Sequence, residues 1–126
     1  MKAKKLLLSL LFLTVLGGSI YYFVNTKIVK ESNDIVLNDL QLDNIDDGIY
    51  IGEYALSPVK VKVEVAIKNH RVEKIEILEH QKGIGKKAEK ITEDVVNNQS
   101  LNVDVVSGAT VSSKVILKAV DNAVNK

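Results

Sequence analysis

Between residues 59 and 68 the chain reads VKVKVEVAIK. Val59, Val61, Val63, Val65 and Ile67 hold the odd positions, and Lys60, Lys62, Glu64, Ala66 and Lys68 the even ones. On a helix this order would scatter the apolar side chains around the whole circumference. On a strand it sends them all to one face. The segment is therefore a half-buried strand, and the fold must supply a sheet covered on one side only. The flanking residues extend the sheet. Asn69-His70 makes a turn, and Arg71–His80 returns through Val72, Ile75 and Ile77. Upstream, Asp46-Asp47-Gly48 is a turn signal. "GIYIGEYAL" follows it, with Tyr50, Gly52 and Tyr54 on one face, until Ser57-Pro58 breaks the strand. Connections this short join antiparallel neighbours.

Beyond the loop Gln81–Gly85 the period changes. Ala88, Ile91, Val95 and Val96 are spaced for one face of a helix ending near Gln99. Leu101, Val103 and Val105 alternate as a further short strand. From Ser112 onward, Val115, Ile116, Ala119, Val120 and Ala123 define a second helical face. The order predicts an α+β domain over 46–126: a small, mainly antiparallel sheet with helices packed on it. So small a core predicts modest stability.

A different signal opens the chain. Lys2, Lys4 and Lys5 precede "LLLSLLFLTVLGGSIYYFV", a run over 6–24 without a charged residue. At about 1.5 Å per residue it spans roughly 28 Å, close to a bilayer's hydrocarbon core. Tyr21 and Tyr22 sit near its far end, where amphipathic rings favour the interface. A cleaved signal peptide is the competing reading, and Gly17, Gly18 and Ser19 imitate a cleavage site. The apolar run continues past them to Val24, which favours an uncleaved signal anchor. The layout is a cytoplasmic basic tip (1–5), a transmembrane helix (6–24), a stalk or linker (25–45) and the domain on the extracytoplasmic side of the cell membrane.

Charge and composition exclude several classes. Residues 1–31 carry a net +4 and residues 32–126 a net −3. An acidic body is the wrong sign for nucleic acid. With no cysteine, the chain cannot form disulfides, thiolate zinc sites, iron–sulfur clusters, thioether-linked haem or a cysteine-linked lipid anchor. His70 and His80 are its two histidines, without a partner at metal-ligand spacing.

The stretch "DVVSGATVSS" over 104–113 carries the chemistry. Val103–Val106 reads as a strand end, and Ser112 or Ser113 as the N-cap of the last helix. Between them the residues are small, and Gly108 is free to adopt positive φ. A helix start offers unpaired N–H groups and a positive dipole end, so an anion is favoured there. Taken alone, the stretch is either a capped helix start or a phosphate site with a hydroxyl nucleophile in it.

Four segments in order, "DGIYIG", "VKVKVEVAIKNHRVEKIEIL", "EHQKGIGKKA" and "SLNVDVVSGATVSSKVILKAVDNAV", resemble the FMN-binding domain family. Its members include the flavin subunits of the sodium-pumping NADH:quinone reductase and of the Rnf complex, and bacterial flavoproteins that are membrane-anchored or secreted. The resemblance covers residues 46–126. It implies that a flavin transferase, using FAD and releasing AMP, attaches FMN as a phosphoester to the last residue of an Asp-x-x-Ser-Gly-Ala-Thr motif. Here the matching residues are Asp104, Ser107, Gly108, Ala109 and Thr110, so Thr110 carries the FMN. A threonine hydroxyl is a weak nucleophile near neutral pH, and no His or Lys adjoins Thr110 in sequence. That fits an external transferase better than self-modification. Asp104 either recruits the metal or transferase or accepts hydrogen bonds in the turn.

The resemblance also implies that Gly83 and Gly85 let backbone approach the flavin, where the alternative is a loop that simply needs glycines. His80 borders that loop, either touching flavin or lying on the surface. Tyr50 and Tyr54 either stack near the ring or pack. Lys82, Lys86 and Lys87 form a solvated face, near the phosphate or an acidic partner. Ser112 joins the FMN-binding set as a hydroxyl beside the phosphate. Function then reads as a membrane-anchored electron-transfer flavoprotein whose redox partners are a quinone, a dehydrogenase or an extracellular acceptor. The alternatives are a non-redox interaction module of the same fold, or a small flavin-dependent reductase with His80 as its acid/base.

Overall fold

The computed structural model describes residues 1–81 and 83–125, with backbone alone for 83–85. Expectations for Lys82, and for Lys126 at the domain's end, lie outside the described residues. The elements are α1 (Lys2–Asn33), β1 (Gly48–Leu56), β2 (Val59–Lys68), β3 (Arg71–Gln81), α2 (Ile91–Asn98) and α3 (Thr110–Val124). Two 3₁₀ helices, Leu42–Asn44 and Gly83–Lys90, join them. The strands form one antiparallel sheet in the order β1-β2-β3, as the alternation predicts.

β2 is the centre of the core. Val61, Val63 and Val65 are fully buried, and Val59 and Ile67 nearly so. At roughly 1.5–3 kcal/mol per buried aliphatic side chain, these five are a large part of what holds the helices to the sheet. The β2–β3 turn has positive φ at both Asn69 (52°) and His70 (57°), as a two-residue primed hairpin turn requires. β3 carries two register irregularities against β2. Val63 faces Ile77 and Lys62 faces Glu79, so Leu78 is bulged out of the ladder. The bulge changes the strand's phase: Val61 faces His80, and His80 joins the inward row of Val72, Ile75 and Ile77.

α3 covers the sheet over β1 and β2. A Cβ at Gly52 would collide with the Ala119 carbonyl oxygen and the Ala123 backbone, so the missing side chain lets the helix settle directly on the strand. Tyr50 packs at the C-terminal end of α3, where a cleft of about 510 Å³ is lined by Asn38, Tyr50, Ala123 and Asn125. α2 rests on β3 and ends at Gln99, which takes a left-handed conformation (φ 53°). The Gln99 amide then pairs with both backbone groups of Val72.

The strand expected at Leu101–Val105 does not form. Leu101 is buried and Val103 and Val105 half-buried, so the alternation is real, but the segment pairs with none of the three strands. It lies instead along α3 beside Leu117, and the Val106 N–H donates to Ser113 Oγ (3.0 Å) rather than to a ladder.

Residues 25–45 are also built into the fold. α1 runs on through Asn33, and its end packs on α3 with Ser32 fully buried. Residues 36–41 then follow α3 in the same direction. Lys118 Nζ donates to the Val36 carbonyl (2.9 Å), the Asn38 N–H to Asp121 Oδ2 (3.2 Å), and the Gln41 N–H to Asn125 Oδ1 (3.3 Å). Asp121 is almost fully buried and is also bridged by Lys118 at 2.8 Å. Burial alone would raise its pKa. The hydrogen bonds from Lys118, Asn125 and Asn38 outweigh burial and hold the carboxyl below its ordinary range.

Candidate functional site

The Ala109 N–H donates to the Val106 carbonyl (2.9 Å), closing a four-residue turn with Gly108 at its third position and φ +75°. Positive φ there is the signature of a type II turn, and it suits glycine. The turn delivers Ala109 as N-cap, so α3 begins at Thr110, two residues before the expected Ser112. Neither Ser112 nor Ser113 is the cap. Ser112 stands at the third helical position. Ser113, at the fourth, turns back to donate to the Ala109 carbonyl (2.7 Å) while accepting from Val106. Ser113 thus pins the turn to the helix, a role the sequence reading missed because it assigned both serines to one cap.

No side chain among the described residues caps α3. The first N–H groups of the helix lack intrahelical acceptors, and with the dipole they favour an anion at Thr110. A cation joins them. A Cβ at Gly108 would sit 2.7 Å from Lys87 Nζ, so the Lys87 ammonium lies directly against the turn. Ser107 and Gly108 are exposed, Ala109 is buried and Thr110 is half-buried. Backbone donors, a positive helix end and the Lys87 ammonium therefore converge on the 107–110 turn, a combination suited to an anion.

The remaining predicted residues divide. His80 is not on the surface: its side chain is 4% exposed. Nδ1 lies 3.1 Å from Glu89 Oε1 and Nε2 3.4 Å from Ser112 Oγ. The carboxylate only accepts, so Nδ1 carries a proton, and the Ser112 hydroxyl is free to donate to Nε2. The structure therefore brings His80, Ser112 and Lys87 to the start of α3. Gly83 and Gly85 begin the 3₁₀ helix that bears Lys87 and packs on α3. Tyr54 faces Val61, in the same row as His80, whereas Tyr50 belongs to the far end of α3 and packs there. Asp104 is exposed and shares a shallow cleft with Asp94, Asn98 and Asn102. Among the described residues it accepts no hydrogen bond in the turn.

Fold and site together define a small α+β domain whose last helix starts uncapped, with a lysine against the preceding turn. The FMN-binding domain profile matches residues 57–125, more than half of the chain, and the chain belongs to that family. It is a flavoprotein domain. It is also similar to the NADH:acrylate oxidoreductase of Vibrio harveyi, at 51% identity over 37 residues, which is 29% of this chain. That stretch is 4% of the relative's length, so the likeness concerns a short segment of a much longer protein.

Proposed function

We propose that the chain is a membrane-anchored electron-transfer flavoprotein, with its domain on the extracytoplasmic side and FMN attached through a phosphoester to Thr110. The observation that carries this reading is Thr110 at the uncapped first position of α3, beside a turn that already holds the Lys87 ammonium against Gly108. Thr110, the first-turn N–H groups of α3 and Lys87 would hold the phosphate. Bound FMN exchanges one or two electrons and so links two-electron donors to one-electron acceptors. The resemblance of a short segment to an oxidoreductase favours this over a non-redox module. A stand-alone reductase is disfavoured by His80, whose two ring nitrogens are already engaged inside the protein.

α1 is long and apolar enough to cross a membrane, and its apolar side chains, Phe12 at 69% among them, are exposed. So large an apolar surface calls for lipid. The Lys residues before it favour a cytoplasmic N-terminus.

Co-expression with an FAD-dependent flavin transferase tests the assignment. Attachment adds the FMN mass to the peptide containing Thr110 and makes the denatured band fluorescent. Thr110→Ala abolishes both. An unmodified Thr110 peptide in wild type, with active transferase present, overturns the reading.

A further inference from the structure

His80 is a buried titratable side chain at the start of α3 that the proposed function leaves unused. The bulge at Leu78 turns it inward, and its ring bridges two segments. Glu89 lies in the 3₁₀ helix Gly83–Lys90, two residues after Lys87. Ser112 lies in the first turn of α3, two residues after Thr110. The spacing of those two segments decides whether the Lys87 ammonium reaches Gly108. A 3₁₀ helix is a weak support on its own, because its hydrogen bonds are poorly aligned. Ala88, fully buried, fixes one side of this helix, and the Glu89–His80–Ser112 bridge ties it to α3.

We propose that His80 is a positioning residue for the Ser107–Thr110 turn: it clamps the Lys87 segment to the start of α3 and so sets the counter-charge for the phosphate. The inference rests on Thr110 as the attachment residue. An apolar side chain would fill the same space without two directional bonds to the two segments that form the cradle. Among the described residues, β2 presents Val61, α3 presents Ser112, and Glu89 is the charged group in contact with the imidazole. Lys86 and Lys90 share the helix of Glu89, Lys114 follows Ser112 on α3, and Glu79 precedes His80 on β3.

The test uses the full chain in detergent, a purified flavin transferase and FAD, and follows attachment by intact mass and band fluorescence. His80→Ala slows attachment roughly tenfold, the scale expected when a positioned group is displaced by a fraction of its reach. Lys87→Ala slows it at least as much. Because His80 acts through Lys87, the double variant is no slower than the slower single. His80→Gln, which keeps an amide for one of the two partners, recovers part of the rate. Wild-type rates in His80→Ala, or losses in the two singles that multiply in the double, overturn the inference. If His80→Ala does not fold, His80→Gln and Glu89→Gln are combined with Lys87→Ala under the same criterion. Wild type that takes up no FMN overturns the Thr110 reading and this inference with it. Wild type that is modified, with His80→Ala modified equally fast, overturns this inference alone.

Discussion

Gly52 and Gly108 each forbid a methyl group, for different reasons. At Gly52 the obstacle is helix backbone, which cannot step aside without lifting α3 from the sheet. Gly52→Ala should cost about 3 kcal/mol, the upper end of overpacking penalties, read as a lowered urea midpoint with unchanged slope. At Gly108 the nearest atom is the tip of a flexible lysine, and the penalty is instead the left-handed backbone. Gly108→Ala should cost about 1 kcal/mol and displace Lys87. Its stability loss should therefore be the smaller of the two, with the larger relative effect on flavin attachment. Asp121 makes a third residue-level prediction. Its folded pKa is depressed, so its contribution is complete above the ordinary carboxyl value of 3.8 and is lost as pH falls below it. Asp121→Asn should cost about 2 kcal/mol near neutral pH by unbalancing a buried hydrogen-bonded group. It should also flatten the acid limb of a stability-against-pH curve, and an unchanged acid limb would show that other carboxylates govern it.

At the scale of elements, the segment 34–41 works as a strap along α3. A chain starting at residue 26 keeps it, and one starting at residue 42 loses the bonds to Lys118, Asp121 and Asn125. The shorter chain should melt several degrees lower, given that about 1 kcal/mol corresponds to roughly 4–8 °C in a domain this size. Equal melting points would mean the strap adds no stability. The strands were legible in the sequence because β2 alternates without a break. The strap was not, because it is held by Asn38, Asp121 and Asn125, polar contacts more than eighty residues apart that leave no periodic trace. Leu101–Val105 misled for a related reason: alternation reports a half-buried face and is silent about whether a ladder partner exists. The start of α3 moved from Ser112 to Thr110 because the turn's geometry, rather than the best capping residue, sets where the helix begins. His80 was recognised as a candidate, but its inward direction depends on a bulge, and a two-residue period cannot foretell a change of phase.

For the whole molecule, the decisive feature is that α1 does not stop at the end of its apolar run. Its 32 residues extend about 48 Å, well beyond the ~30 Å hydrocarbon core, and the last turn is packed on α3. Spin labels at Lys27 and Lys68, both exposed, should therefore give one narrow distance distribution in lipid nanodiscs. A broad distribution would show that the domain moves freely on its anchor. A domain on a loose tether samples a hemisphere and meets partners that diffuse in the bulk. One standing on a post offers a single face at a single height, and on the anchored reading its encounters become a search in two dimensions. If it transfers electrons as proposed, partners that share the membrane plane and carry their redox group at the matching height would meet it by lateral diffusion alone.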